Sequence, residues 1–85
     1  MTEKVTLYTR PRCPFCTKLR AKLRMRGIAF EEIDIWQDED AAGVVREVNG
    51  GNELVPTVEV GGRYLSNPRV ADVAAALRDA APEDG

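Results

Sequence analysis

The first half of the chain alternates short β-like segments with a helical pattern. Residues 5–9 are mostly β-branched or aromatic and carry apolar groups on both faces, which predicts a central strand covered on both sides. Pro14 suits the first position of a helix, which we predict over residues 14–26. A second strand is predicted over residues 28–35. The apolar positions of the helix recur every four residues and end before a glycine; they are Phe15, Leu19 and Leu23, followed by Gly27.

The middle of the chain predicts a second helix and a β-hairpin. Asp38, or else Gln37, is expected to cap the helix, because the acidic residues that follow suit the positive end of the helix dipole. Two glycines at 50–51 end it. Residues 56–60 and 63–65 predict strands joined by a two-residue Gly-Gly hairpin.

A third helix closes the pattern. Asn67 is predicted as its cap and Pro68 as its first turn. Residues 81–85 are polar and are predicted to form a flexible tail. The apolar stripe of this helix consists of Val70, Val73, Ala74 and Leu77.

The order of elements predicts an α/β fold. A strand-helix-strand unit requires a right-handed crossover, so the first two strands pair in parallel, while the hairpin makes the last two antiparallel. The result is a four-stranded mixed sheet flanked by three helices in the order β-α-β-α-β-β-α, the minimal thioredoxin-like fold. The chain of 85 residues supports one modest core, and we predict a single domain over residues 1–85.

Composition removes several classes of function. With 44% apolar and 31% charged residues and no apolar run near the ~18 residues of a membrane span, the chain is typical of a soluble domain. Histidine is absent, which excludes Ser-His and Cys-His catalysis and His-containing metal sites. No signal peptide is visible at the N-terminus, so a reducing cytoplasm is the expected location.

The charge is divided along the chain although the net charge is only -2. Residues 10–26 hold seven of the twelve basic residues and no acid, whereas residues 31–53 hold eight acids and one base. A basic block can indicate a DNA-binding module. The sequence pI of about 5.1 and the helical spacing of the cations instead favour a solvated helix face, and no nucleic acid partner is expected.

Cys13 and Cys16 form a CxxC motif at the junction of the first strand and helix. At the helix N-cap, the dipole favours the thiolate of Cys13 and lowers its pKa below the free value of about 8.5. Arg12 and Arg10 act in the same direction. Cys16 lies one turn inside the helix, so we predict that Cys13 attacks and that Cys16 is placed to resolve in a dithiol route and is dispensable in a monothiol one. A zinc half-site would need two further ligands, and a purely structural pair is the other alternative; redox chemistry is favoured and no metal is expected.

Val55 and Pro56 begin the third strand. A proline there can be simple strand-edge punctuation, because it donates no ladder hydrogen bond. In this fold class, however, a cis peptide bond at Pro56 would let Val55 present its backbone to a bound thiol compound, and we predict the cis form.

The motif and its surroundings resemble the glutaredoxins over nearly the whole chain, and most closely their actinobacterial branch, the mycoredoxins. The segments that carry the resemblance are residues 8–16, 48–52, 55–58 and 66–68. By this resemblance, Arg10 replaces the lysine that contacts glutathione, and residues 54–56 match the Thr-Val-Pro segment that pairs with the bound thiol. The residues expected to contact the cosubstrate are Arg10, Arg12, Phe15, Val55, Pro56, Ser66 and Asn67.

One departure from the glutathione-using pattern affects the choice of cosubstrate. Where those proteins carry Gly-Gly and an acidic pair, this chain has Ser66, Asn67, Pro68 and Arg69. Arg69 would repel the α-ammonium of glutathione, at a cost of about 0.3–1 kcal/mol. Mycothiol lacks that ammonium, and Ser66 and Asn67 could bond its sugar hydroxyls. Alternatively, Asn67 and Pro68 are only a helix start.

The resemblance implies a monomeric thiol-disulfide oxidoreductase that removes mycothiol from protein mixed disulfides. Cys13 would act by a monothiol route, and an NADPH-dependent mycothiol disulfide reductase would recycle the cosubstrate. No cofactor is expected to be bound permanently. The alternatives are an electron donor linked to glutathione or thioredoxin reductase, for example to ribonucleotide reductase, and an iron-sulfur carrier.

Overall fold

A computed structural model describes residues 4–80 of the chain. The predicted order of elements is confirmed, and the predicted tail at 81–85 lies outside the described residues. The strands and helices are β1 (Val5–Thr9), α1 (Pro14–Met25), β2 (Glu31–Asp34), α2 (Glu39–Val48), β3 (Thr57–Val60), β4 (Arg63–Ser66) and α3 (Val70–Ala80).

The four strands form one mixed sheet in the order β2-β1-β3-β4. β1 and β2 are parallel, with Leu7 opposite Glu32, whereas β3 is antiparallel to both β1 and β4. This is the topology that the crossover and hairpin rules predict. None of the helices within residues 4–80 is long and apolar enough to cross a membrane.

Helices cover both faces of the sheet because β1 is apolar on both sides. On one face Val5 and Leu7 pack with buried residues of α1 and α3, among them Leu23 and Val73. On the other face Tyr8 packs with α2 through Val45. The two cysteines belong to this second cluster. The reactive pair is therefore anchored in the core rather than held on a free loop.

The helix ends follow local signals with one exception. Asp38 caps α2, since its Oδ1 accepts from the backbone N–H of Ala41 at 3.1 Å. Gly27 follows the C-cap of α1 at a φ of 69°, a left-handed conformation that glycine adopts without a steric cost. β2 is shorter than predicted and begins at Glu31 rather than residue 28.

The prediction that Asn67 caps α3, with Pro68 in its first turn, is wrong. Asn67 has a φ of 47°, whereas an N-cap residue is extended, and its N–H donates to the carbonyl of Pro56 at 2.8 Å. The helix begins at Val70 instead. The carbonyl of Arg69 accepts from the N–H of Val73 at 3.2 Å, and the carboxylate of Asp72 accepts from the N–H of Arg69 at 2.9 Å.

Candidate active site

Cys13 is the N-cap of α1, as the sequence predicts. Its backbone is extended, and its sulfur accepts a hydrogen bond from the N–H of Cys16 at 3.1 Å. The two cysteines are joined in a disulfide with their Cα atoms 5.2 Å apart. The first turn of α1 contains no acidic residue. A thiolate formed on reduction of Cys13 would therefore meet the positive end of α1 without a competing carboxylate in that turn.

The two sulfur-bearing residues differ in access to solvent. Cys13 is 7% exposed and Cys16 is 1% exposed. Both belong to a buried apolar cluster that includes Ile35 and Val55. An incoming sulfur therefore reaches Cys13 more readily, which fits the predicted division between an attacking and a resolving cysteine.

The segment before β3 lies against the cysteines. The peptide bond between Val55 and Pro56 is cis, as predicted, and both residues are buried. The hydroxyl of Thr57 donates to the carbonyl of Leu54 at 2.7 Å, and the N–H of Asn67 donates to Pro56. This segment is therefore held on one side by its own turn and on the other by the end of β4.

Asn49 is a site residue that sequence reasoning missed. Its side-chain amide donates to the carbonyl of Val45 at 2.8 Å and to the hydroxyl of Thr57 at 3.2 Å. The hydroxyl of Ser66 donates to its oxygen. Asn49 thus connects the end of α2 to the start of β3, which follows Val55, and to the end of β4. The sequence signals at this position are a polar residue before two glycines, which indicates a helix end, and the resemblance carried by residues 48–52, which assigned Asn49 no role.

The predicted cosubstrate residues fall into separate groups. Arg10 and Arg12 are exposed next to Cys13, and Phe15 is 62% exposed. Val55 is buried in the same cluster as the disulfide, Pro56 is buried next to it in the chain, and the hydroxyl of Ser66 donates to Asn49. Phe15 and Asn67 line a groove of about 440 Å³ between α1 and the start of α3. Of the predicted cosubstrate residues, these two alone line it; the other residues that line it are Lys18, Leu19, Lys22, Pro68, Arg69, Val70 and Ala71.

An ion pair fixes α1 over the parallel strands. The guanidinium of Arg20 bonds both carboxylate oxygens of Glu32, and the hydroxyl of Thr9 donates to the same carboxylate at 3.0 Å. The hydrogen bond from Arg20 is the main reason that the pKa of Glu32 is lowered. Burial raises the pKa of Tyr8, on the neighbouring strand. Within residues 4–80 no cluster of three or more acidic or cysteine side chains could hold a metal ion.

Comparison with known proteins places this site in a family. A sequence model of the glutaredoxin family matches residues 5–65. Mycoredoxin 1 of Corynebacterium glutamicum is 40% identical over 76 residues, which cover 88% of this chain and 94% of that protein.

Solved structures agree in fold. NrdH-redoxin of Escherichia coli, a glutaredoxin-like protein with a thioredoxin-like activity profile, superposes with a TM-score of 0.73 at 28% identity, covering 85% of this chain and 92% of that one. The thioredoxin-like protein BC3987 gives a TM-score of 0.75 at 26% identity, with coverage of 87% and 100%.

The family match over residues 5–65 includes the CxxC motif, the segment at Val55, strands β1 to β3 and all but the last residue of β4, so the resemblance inferred from the sequence is confirmed. It spans both the cysteine pair and the scaffold that positions it. The chain belongs to the glutaredoxin family and is a thiol-disulfide oxidoreductase.

Proposed function

We propose that this glutaredoxin removes mycothiol from protein mixed disulfides, with Cys13 as the nucleophile. The observation that carries the proposal is the position of Cys13, which caps α1 and is the more accessible member of the pair. The reduced sulfur at a helix N-terminus has a lowered pKa, so a larger fraction is thiolate at neutral pH. Exchange rates rise with the thiolate fraction of the attacking thiol.

The proposed reaction has two exchange steps. The Cys13 thiolate attacks the mycothiol sulfur, the mixed disulfide breaks, and the client sulfur leaves as a thiolate that takes up a proton. A second mycothiol thiolate then attacks the mycothiol sulfur of the Cys13 adduct and releases Cys13. The product is mycothiol disulfide, which an NADPH-dependent mycothiol disulfide reductase would return to the thiol in the cytoplasm. Cys16 takes no part in this monothiol route.

The segment before α3 supports mycothiol over glutathione. The carboxylate nearest to the start of this helix, Asp72, already accepts from the N–H of Arg69 and lies 3.8 Å from its guanidinium. It therefore offers little to the α-ammonium of glutathione. Within residues 4–80 the side-chain amide of Asn67 makes no hydrogen bond and lines the groove beside Phe15. It is free to bond a sugar hydroxyl. Ser66 donates to Asn49, so its oxygen would act toward a sugar as an acceptor.

The remaining cosubstrate contacts are assigned by position. The backbone of Val55, before Pro56, would pair with the cysteinyl part of mycothiol, because this segment packs against the cysteines. Arg10 and Arg12 are exposed next to Cys13 and would meet the polar end of the cosubstrate. Phe15 would cover its apolar side.

Two single substitutions test the assignment of the cysteines. On a mycothiolated protein with mycothiol as reductant, Cys13→Ser is expected to abolish release of the mycothiol group, whereas Cys16→Ser is expected to retain it. Mass spectrometry is expected to detect more adduct on Cys13 after incubation with oxidised mycothiol than after incubation with oxidised glutathione. Turnover by Cys13→Ser, or a preference for glutathione, would contradict the proposal.

A second candidate is a dithiol electron donor reduced by thioredoxin reductase. It is favoured by the closed Cys13–Cys16 disulfide and by the similarity to NrdH-redoxin of Escherichia coli. Here Cys16 would be essential, because it closes the disulfide that the reductase opens. NADPH consumption with thioredoxin reductase, compared between the unmodified protein and Cys16→Ser, separates this candidate from the monothiol route.

A further inference from the structure

The basic residues of this protein divide into paired and unpaired groups. Within residues 4–80, five of the twelve form ion pairs with carboxylates: Lys4, Arg20, Arg46, Arg63 and Arg69. Six of the other seven lie in residues 10–26, in the turn that carries Cys13 and along α1; the seventh is Arg78. The unpaired positive charge is therefore concentrated beside the disulfide of a protein whose net charge is -2.

Two of these cations face the groove that begins at the CxxC motif. Phe15, Lys18 and Lys22 follow each other at helical spacing along one wall, so that Lys22 lies about 10 Å along the axis from Phe15. Arg69 stands on the opposite wall, and none of the residues that line the groove is acidic. The groove also has an apolar part, in which Leu19 and Pro68 are buried and Phe15 is exposed.

This arrangement has a cost for the isolated protein. Like charges four residues apart on a helix, as at Lys18 and Lys22, destabilise it by about 0.2–0.5 kcal/mol. Arg20, between them in sequence, faces Glu32 and is neutralised there. The repulsion on the groove side is left uncompensated within the described residues, and an anionic partner would remove it.

We infer that the wall of this groove formed by Lys18 and Lys22 docks an extended, acidic segment of the client protein next to the client's disulfide, while Phe15 and Asn67 at the end nearest Cys13 stay with the cosubstrate. An extended chain advances about 3.3 Å per residue, so the 10 Å of groove holds about three residues. The acidic residues are therefore expected within about five positions of the client cysteine. Recognition of an acidic motif by a basic cluster beside an apolar contact is a known mode of peptide binding.

The inference goes beyond the proposed function, because it concerns the protein partner and holds whatever the small thiol is. Opposite charges at an interface act mainly on the association rate and are screened by salt. The effect should therefore be seen as a salt-dependent difference in rate between clients that differ only in charge.

The test uses the reduced protein and three disulfide peptides, with no mycothiol present. The peptides share one sequence apart from three residues after the cysteine, which are acidic, neutral amide or basic. In each reaction the peptide disulfide is reduced to two thiols while Cys13 and Cys16 are oxidised to their disulfide. The rate of this exchange is measured by stopped flow. At low salt the acidic peptide is expected to react about tenfold faster than the neutral one, and the difference should largely disappear at high salt.

Matched variants locate the effect. Lys18→Gln with Lys22→Gln should lose the preference for the acidic peptide and leave the neutral peptide unchanged. Arg26→Gln with Arg78→Gln removes the same charge from exposed positions outside the groove and should retain the preference. Equal losses in the two double variants, or equal rates for the acidic and neutral peptides, would overturn the inference. Loss of mycothiol turnover with a neutral client in the lysine variant would also overturn it, since Lys18 and Lys22 would then belong to the site of the cosubstrate.

Discussion

Asn49→Ala tests whether the last turn of α2 holds the segment that carries Val55. The substitution removes two donated hydrogen bonds and one accepted bond. The carbonyl of Val45 and the hydroxyl of Thr57 belong to residues that are 0% exposed, so water replaces the lost donors poorly. Each such bond contributes about 0.5–1.5 kcal/mol, whereas exposed Ser66 bonds water instead. We expect Asn49→Ala to lower the free energy of unfolding by about 1–3 kcal/mol.

Urea unfolding of the oxidised protein, followed by circular dichroism, measures this loss. Asn49→Asp keeps the acceptor for Ser66 but removes both donors, and it should be at least as destabilising as the alanine variant. Asn52→Ala is the matched control, because its exposed side chain makes a single bond of 3.3 Å to the carbonyl of Asn49. It should change stability by less than about 0.5 kcal/mol. If Asn49→Ala were no more destabilising than this control, the assigned positioning role would be refuted.

Four further substitutions are expected to separate other parts of the fold. Glu32→Gln should destabilise by about 0.5–1 kcal/mol at neutral pH, because it weakens the bonds from Arg20. The pKa of Glu32 is lowered from 4.5, so its contribution to stability is present above pH 4.5 and is lost as the pH falls through the lower pKa of the folded state. Urea unfolding at a series of pH values should therefore show the stabilities of the unmodified protein and Glu32→Gln converging in acid. A difference that stays constant with pH would contradict this explanation. Gly27→Ala should destabilise by about 1–2 kcal/mol because of its positive φ. Gly43→Ala, inside α2, should stabilise by about 0.5–1 kcal/mol, because its added Cβ would meet only the Arg46 side chain at an ordinary contact distance of 3.8 Å. Thermal unfolding compares the two variants, and stability changes of equal sign would refute the explanation. Leu23→Ala should cost about 2–5 kcal/mol in the same assay, since its side chain is fully buried, and a loss below about 1 kcal/mol would show that the site is not closely packed.

Most of the fold could be predicted because its signals are local. Pro14, Gly27 and Asp38 each mark a helix end within one turn, and each is found where the pattern placed it. The position of Cys13 at a helix N-terminus follows from the same signals. The two core clusters then follow from the alternation in β1.

The start of α3 could not be predicted because its cause is distant in sequence. The dipeptide Asn-Pro is the same local sequence whether its asparagine caps a helix or adopts a left-handed turn conformation. Here the hydrogen bond from Asn67 to Pro56, eleven residues earlier in the chain, accompanies the turn conformation. The role of Asn49 was missed for a similar reason, since its partners Thr57 and Ser66 are 8 and 17 residues away. The groove likewise exists only once α1 and α3 are packed together.

The hydrogen bond from the N–H of Cys16 to the sulfur of Cys13 joins the chemistry to the start of α1. The sulfur that changes partner in each exchange is also the atom that caps the start of the helix. The strength of that cap therefore differs between the chemical states of Cys13. A thiolate is the strongest acceptor and a mixed disulfide is an uncharged one. Amide hydrogen exchange at Cys16 therefore offers a backbone reporter of the catalytic cycle that needs no added label. Serine is the appropriate inactive replacement for Cys13, because its hydroxyl preserves a cap that alanine would remove.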